Sequence, residues 1–156
     1  MVAFTLNGAA VALDVPAEVT LLHALRGPGG LSGPRFGCGT EDCGSCMVLL
    51  DGVPAYACTL AAGSVAGRAV ITVEGLGTPD APHPLQVAFL AEQAGQCGYC
   101  LSGILVSAAA LLARNPDPDE AAIKAALDPH LCRCGSHNRI IRAVRRAAQA
   151  MGSVAA

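Results

Sequence analysis

The stretch RFGCGTEDCGSCMVLLDGVPAYAC, from Arg35 to Cys58, holds four cysteines within two dozen residues of a chain that is otherwise apolar and alanine-rich. Thiols gather twice more, in QCGYC at Gln96 to Cys100 and in LCRCG at Leu131 to Gly135, so a reading of the chain has to account for all eight. Composition narrows what they are for. The 156 residues suffice for one full domain or two small ones. A formal net charge of -2 and an aromatic content of 3%, with no Trp, leave neither a basic footprint nor stacking platforms, and nucleic acid is not expected as a partner. The longest apolar run, LSGILVSAAALLA at 101 to 113, falls short of the ~20 residues a bilayer requires, so no membrane insertion is expected. The N-terminal MVAFTLNGAAVALDVPAE lacks a basic leader region and is broken by Asn7-Gly8 and Asp14. That argues against a secretory signal, and with it against a secreted disulfide framework.

Outward from the cysteine stretch, the two halves of the chain have different periods. Before it, VAFTLNGAAVALDV alternates about Asn-Gly, the strongest short hairpin signal, and Thr20 precedes a short helix, LLHALR, closed by Gly27. Within and after it, CMVLL and VPAYACTL flank an Asp51-Gly52 turn as a second hairpin, and AVITVEG at 69 to 75 supplies one more strand. A small mixed sheet holding one helix is expected for residues 1 to 75. LGTPDAPHP, with three prolines, reads as a connection, and 76 to 82 is taken as a linker. From 83 to 151 the period becomes about 3.6, and four helices are expected, over HPLQVAFLAEQA, CGYCLSGILVSAAALLARN, DPDEAAIKAAL and SHNRIIRAVRRAAQAM. The fold class is α+β. In the second helix Leu101, Ile104, Leu105, Ala108, Leu111 and Leu112 share a face. In the fourth Ile140, Ile141, Val144, Ala147, Ala148 and Met151 do, with Arg142, Arg145 and Arg146 opposite as a solvated face complementing the helix C-terminal dipole.

The spacings carry the chemistry. Cys38, Cys43 and Cys46 stand as C-x4-C-x2-C with Cys58 further on, the order in which one loop wraps a plant-type [2Fe-2S] cluster and a distant residue closes it. Four thiolates on such a core are anionic, so the loop must turn tightly with backbone N–H groups aimed inward, a task for Gly37, Gly39 and Gly44. Cys97 and Cys100 stand as C-x2-C at the start of one expected helix, Cys132 and Cys134 as C-x-C just before another. Two facing helix N-termini would join these four into a second site.

Other readings fit less of the chain. CGSC and CGYC each resemble a thioredoxin-like redox pair, but that leaves Cys38, Cys58, Cys132 and Cys134 unexplained. Structural zinc is the better rival, although its usual sites join two C-x2-C pairs. A Rieske centre needs two His ligands, and CGSH at 134 to 137 is only half a match. His23, His83 and His130 read as surface or packing residues. Glu41 and Asp42, inside the first loop, read as tuning or surface charge. No Gly-rich dinucleotide motif, nucleophile–base pair or carboxylate pair suggests substrate chemistry on this chain.

FGCGTEDCGSCMVLLDG with Cys58, then QCGYC and LCRCGSHNRIIRAV, resembles the small iron–sulfur subunit of the molybdenum hydroxylases, the xanthine oxidase family, over residues 3 to 149. APHPLQVAFLAEQAGQCGYC and HLCRCGSHNRIIRAVRRAA are especially similar to the nicotinate hydroxylase and isoquinoline oxidoreductase branch. The resemblance implies an N-terminal ferredoxin-like β-grasp domain and a C-terminal four-helix domain, each holding one [2Fe-2S] cluster. It implies a large molybdopterin-binding partner subunit, with the helical cluster beside the pterin and the ferredoxin-like cluster nearer an outer acceptor such as a flavin subunit or cytochrome. Gln96 matches the glutamine that contacts the pterin, and Cys134 the ligand whose sulfur approaches the pterin amino group. The implied function is electron transfer within an oxidoreductase complex acting on an N-heteroaromatic compound or an aldehyde. A free-standing two-cluster ferredoxin is the alternative. The cytoplasm is the default location, with co-export to the periplasm beside a signal-bearing partner as the variant.

Overall fold

The structure is a computed structural model and describes residues 1–154. The chain opens with a hairpin of β1 (Val2–Leu6) and β2 (Ala9–Leu13). Asn7 and Gly8 turn it with φ of 50° and 85°, the paired positive values of a type I′ turn. α1 (Leu21–Arg26) follows, with the Thr20 hydroxyl accepting from the His23 N–H at 3.2 Å and Gly27 at its end. Beyond the cysteine loop come β3 (Met47–Leu50) and β4 (Val53–Tyr56), turned by Asp51 and Gly52, and then β5 (Ala69–Ile71). Among the described residues these five strands make one mixed sheet of order β2-β1-β5-β3-β4, with β1 and β5 parallel and the other pairs antiparallel.

Two strands are shorter than their sequence suggests. VPAYACTL leaves the sheet after Tyr56, placing Cys58 in the turn beyond. AVITVEG leaves it after Ile71 and closes as a 3-10 turn, Val73–Gly75. At Thr72 the backbone N–H donates instead to Asn7 Oδ1 at 2.8 Å, and its hydroxyl to Glu74 Oε2 at 2.6 Å. Side chains have captured the groups that would have continued the ladder.

The second half supplies α2 (Pro84–Ala91), α3 (Leu101–Arg114), α4 (Glu120–Leu127) and α5 (His137–Val154). His83 opens α2 through a capping box: Nδ1 accepts from the Leu85 N–H at 3.1 Å, and the His83 N–H donates to Gln86 Oε1 at 2.8 Å. His23 is exposed. On α5 the apolar face lies as its periodicity suggests, with Ile140, Val144, Ala147 and Ala148 buried. The arginines do not serve the dipole of their own helix, because α5 runs on to Val154 and has no basic residue in its last turn. Arg142 and Arg146 reach instead to Glu92 at the end of α2, at 3.3 and 3.1 Å.

α3 departs furthest from its one-faced reading, since it is buried almost all round. Ile104, Leu105, Ala108 and Leu111 pack with α2, α4 and α5. Val106 and Ala110 form a separate cluster with Met47 and Leu49 on the outer face of the sheet. Val48 and Leu50 point the other way, into the core beneath α1. β3 is therefore buried on both faces, which is why MVLL is a continuous apolar run. The seam is close at Gly103, where a Cβ would lie 2.1 Å from the Gly44 carbonyl oxygen. Any side chain there would part the helix from the cysteine loop.

Candidate metal centres

All eight cysteines are free thiols, and they lie in two groups. In the first, the N–H of Cys38 donates to Cys43 Sγ at 3.4 Å, while the N–H groups of Thr40 and Asp42 donate to Cys38 Sγ at 3.4 and 3.3 Å. Cys46 and Cys58 are hydrogen-bonding neighbours further in. The loop turns as its glycines suggest: Gly39 and Gly44 have φ of 74° and 70°, and a Cβ on Gly37 would lie 2.5 Å from Cys43 Sγ. Glu41, exposed and at φ 64°, accepts a hydrogen bond from the Thr59 hydroxyl, while Asp42 accepts one from the Thr40 hydroxyl at 2.6 Å.

The second group joins residues from two helix starts, as the spacing suggests. Cys97 neighbours Cys134, and Cys100, which caps α3, neighbours Cys132. The Tyr99 N–H donates to Cys97 Sγ at 3.5 Å. The four cysteines gather about one point together with Gln96 and Ser136, packed too closely to leave a cavity between them. Gln96 is exposed at its rim and its Nε2 donates to the Cys134 carbonyl at 3.3 Å, so the two residues the resemblance assigns to the pterin stand side by side.

Electrostatics divide the thiols by depth. Burial pushes Cys46 and Cys100 up to about 12. At the surface the Thr40 backbone N–H brings Cys38 down to about 6, and the Tyr99 N–H lowers Cys97. Burial raises Cys132, but hydrogen bonds led by the Ser136 N–H outweigh it and the net shift is downward. Cys38 thus leans toward thiolate, while Cys46 and Cys100 stay protonated until a metal's charge displaces the proton.

The donor set suits a [2Fe-2S] core. Among the described residues no three His, Cys, Asp or Glu side chains converge on one ion position. A two-iron core is wider than an ion and takes two ligands on each iron, so it calls for pairs of thiols, which both groups supply. Two further features fit: the cradle at Gly37, which a Cβ would fill, and Ser136 Oγ, buried beside the second group with no protein partner for its hydrogen.

The groups are stitched together by contacts that no local pattern announced. Leu131 N–H donates to the Cys43 carbonyl at 3.1 Å, linking the neighbour of Cys132 to the first loop. His130 lies buried against Gly44, with Nε2 2.7 Å from Ser107 Oγ, and burial takes its pKa down to about 4. Arg35 Nη1 donates to the Gly98 carbonyl at 2.8 Å, and the Tyr99 hydroxyl donates to the Phe36 carbonyl. The only sequence hint was the position of Arg35 and Tyr99 inside the two motifs.

Comparison with known proteins agrees. Residues 4–64 match a family described as a 2Fe-2S iron-sulfur cluster binding domain, and residues 72–145 one described as a [2Fe-2S] binding domain. The chain is 47% identical over 148 residues to one of the subunits of nicotinate dehydrogenase from Pseudomonas putida, covering 95% of this chain and 94% of that one. It is also 47% identical over 150 residues to the alpha subunit of isoquinoline 1-oxidoreductase from Brevundimonas diminuta, covering 96% and 98%. The crystal structure of quinoline 2-oxidoreductase from Pseudomonas putida 86 superposes with a TM-score of 0.92 at 35% identity, over 97% of this chain and 95% of that chain. Two cluster-binding halves in one chain, thiols paired in both, and relatives matched end to end lead to one conclusion: the chain belongs to the small iron–sulfur subunits of the molybdenum hydroxylases, the xanthine oxidase family, and carries two [2Fe-2S] clusters for electron transfer in such a complex.

Proposed function

We propose that Cys38, Cys43, Cys46 and Cys58 hold the first cluster and Cys97, Cys100, Cys132 and Cys134 the second, in a ferredoxin-like domain of residues 1–75 and a helical domain of 83–151 joined by 76–82. When bound, each cluster accepts one electron and passes it on. So loaded, the helical thiol group would take electrons from the large subunit's molybdopterin, and the ferredoxin-like group would hand them to a flavin subunit or cytochrome. This chain's residues hold the clusters, aim backbone N–H groups at their sulfurs and bring the two loops together. We take the substrate of the complex to be an N-heteroaromatic compound, the class named in its relatives nicotinate dehydrogenase and isoquinoline 1-oxidoreductase. We take the cytoplasm as the default compartment, with co-export to the periplasm beside a signal-bearing partner as the variant. Among the described residues no helix is long and apolar enough to cross a membrane.

The observation that carries this reading is the rim of the second group. Gln96 is exposed and hydrogen-bonded to the Cys134 carbonyl, so a partner cofactor placed there meets a polar contact and a ligand residue at once. The test is Gln96→Ala in the assembled complex, mixed anaerobically with substrate while cluster reduction is followed optically. Reduction of the helical cluster should slow about tenfold, the worth of one good hydrogen bond, with both clusters at full occupancy. An unchanged rate would contradict entry at Gln96.

A further inference from the structure

Arg35 belongs to one cysteine loop by its backbone and to the other by its side chain. Its N–H donates to the Ser45 carbonyl at 3.0 Å, next to Cys46. Its Nη1 donates to the Gly98 carbonyl at 2.8 Å, and its guanidinium lies over the Tyr99 ring, 5.2 Å from the centroid. Gly98 and Tyr99 are the two residues between Cys97 and Cys100. The Gly98 carbonyl and the Tyr99 N–H are opposite ends of one peptide group, and that N–H donates to Cys97 Sγ at 3.5 Å. A charged donor on the carbonyl polarises the peptide and strengthens the N–H on its far side.

The cation is also uncompensated. Arg35 is half-buried, and among the described residues the salt bridges join other pairs, so no carboxylate neutralises it. Reduction of a [2Fe-2S] cluster takes one iron from Fe(III) to Fe(II) and adds one electron, making the site more negative by one charge. A nearby fixed cation, and a stronger hydrogen bond to a cluster sulfur, both favour the reduced form.

We propose that Arg35 sets the reduction potential of the helical cluster, raising it from the ferredoxin-like half of the chain through the Gly98–Tyr99 peptide and through space. This rests on the ligand assignment given above. It makes the potential of the entry cluster depend on the packing of the two halves. An isolated helical domain would hold its cluster at a lower potential.

The test is a redox titration of the complex, reading each cluster's EPR signal separately in the unsubstituted protein, Arg35→Met, Arg35→Gln and Arg35→Lys. The methionine keeps a stem over Tyr99 without charge or donor, and the glutamine keeps a donor without charge. Both should keep two signals at full intensity while the reduced-to-oxidised ratio of the helical cluster at fixed poise falls roughly tenfold, which is about 59 mV for a one-electron couple. The ferredoxin-like cluster should move less, and lysine should recover most of the shift. If the methionine variant assembles poorly, the glutamine variant is read the same way. Two intact signals with an unmoved helical potential, or equal shifts in both clusters, would overturn the assignment. Wrong ligands would show separately, as a helical signal that survives Cys100→Ser.

Discussion

Cys43 and Cys100 sit in different loops with different supporting residues, and the two thiol groups share no cysteine. On the proposed ligand assignment, replacing one thiol with a hydroxyl would remove a thiolate from one core and leave the other group intact. Cys43→Ser should therefore abolish or distort only the ferredoxin-like EPR signal and Cys100→Ser only the helical one. Loss of both signals from either change would contradict independent sites. The two thiol groups were legible from spacing, because a cysteine loop writes its geometry into consecutive residues. Arg35 and His130 were not, since their partners at Gly98 and Gly44 are distant in sequence and chosen by packing.

At the scale of elements, Glu74 holds the approach to the first cysteine loop. It accepts from the N–H groups of Gly33 at 2.6 Å and Ser32 at 3.1 Å, and from the Thr72 hydroxyl, tying the segment before Arg35 to the end of the sheet. Burial raises its pKa, but those donors outweigh burial and the net shift is downward. With the folded value below the unfolded one, the unfolded chain binds the proton first as pH falls. The stabilisation is whole above the unfolded pKa of about 4.3 and is lost as pH drops through the folded value. Glu74→Gln should cost about 1 kcal/mol at neutral pH, less than a buried charged hydrogen bond because the residue is exposed and screened by solvent. Its unfolding curves at pH 7 and pH 4 should also differ less than those of the unsubstituted protein; an undiminished difference would assign the acid sensitivity elsewhere. AVITVEG alternated like a strand to its end, and the turn at Thr72 rests on a tertiary hydrogen bond to Asn7 together with a local one to Glu74.

Across the whole molecule, α3 is the common wall of both halves, packing on the sheet through Val106 and Ala110 and on the other helices through Ile104 and Leu111. Its periodicity revealed one face; the second was hidden because LSGILVSAAALLA is apolar or small nearly all round. This wall and the Leu131–Cys43 hydrogen bond join the two cluster sites, an arrangement suited to passing single electrons in series. The most direct measurement is low-temperature EPR of the anaerobically purified, dithionite-reduced protein, with spins counted against chain concentration and iron determined in the same sample. Two distinguishable S = 1/2 signals, each about one spin per chain, are the predicted result for two [2Fe-2S] clusters. A silent spectrum from folded protein that holds zinc and no iron would contradict the electron-transfer account.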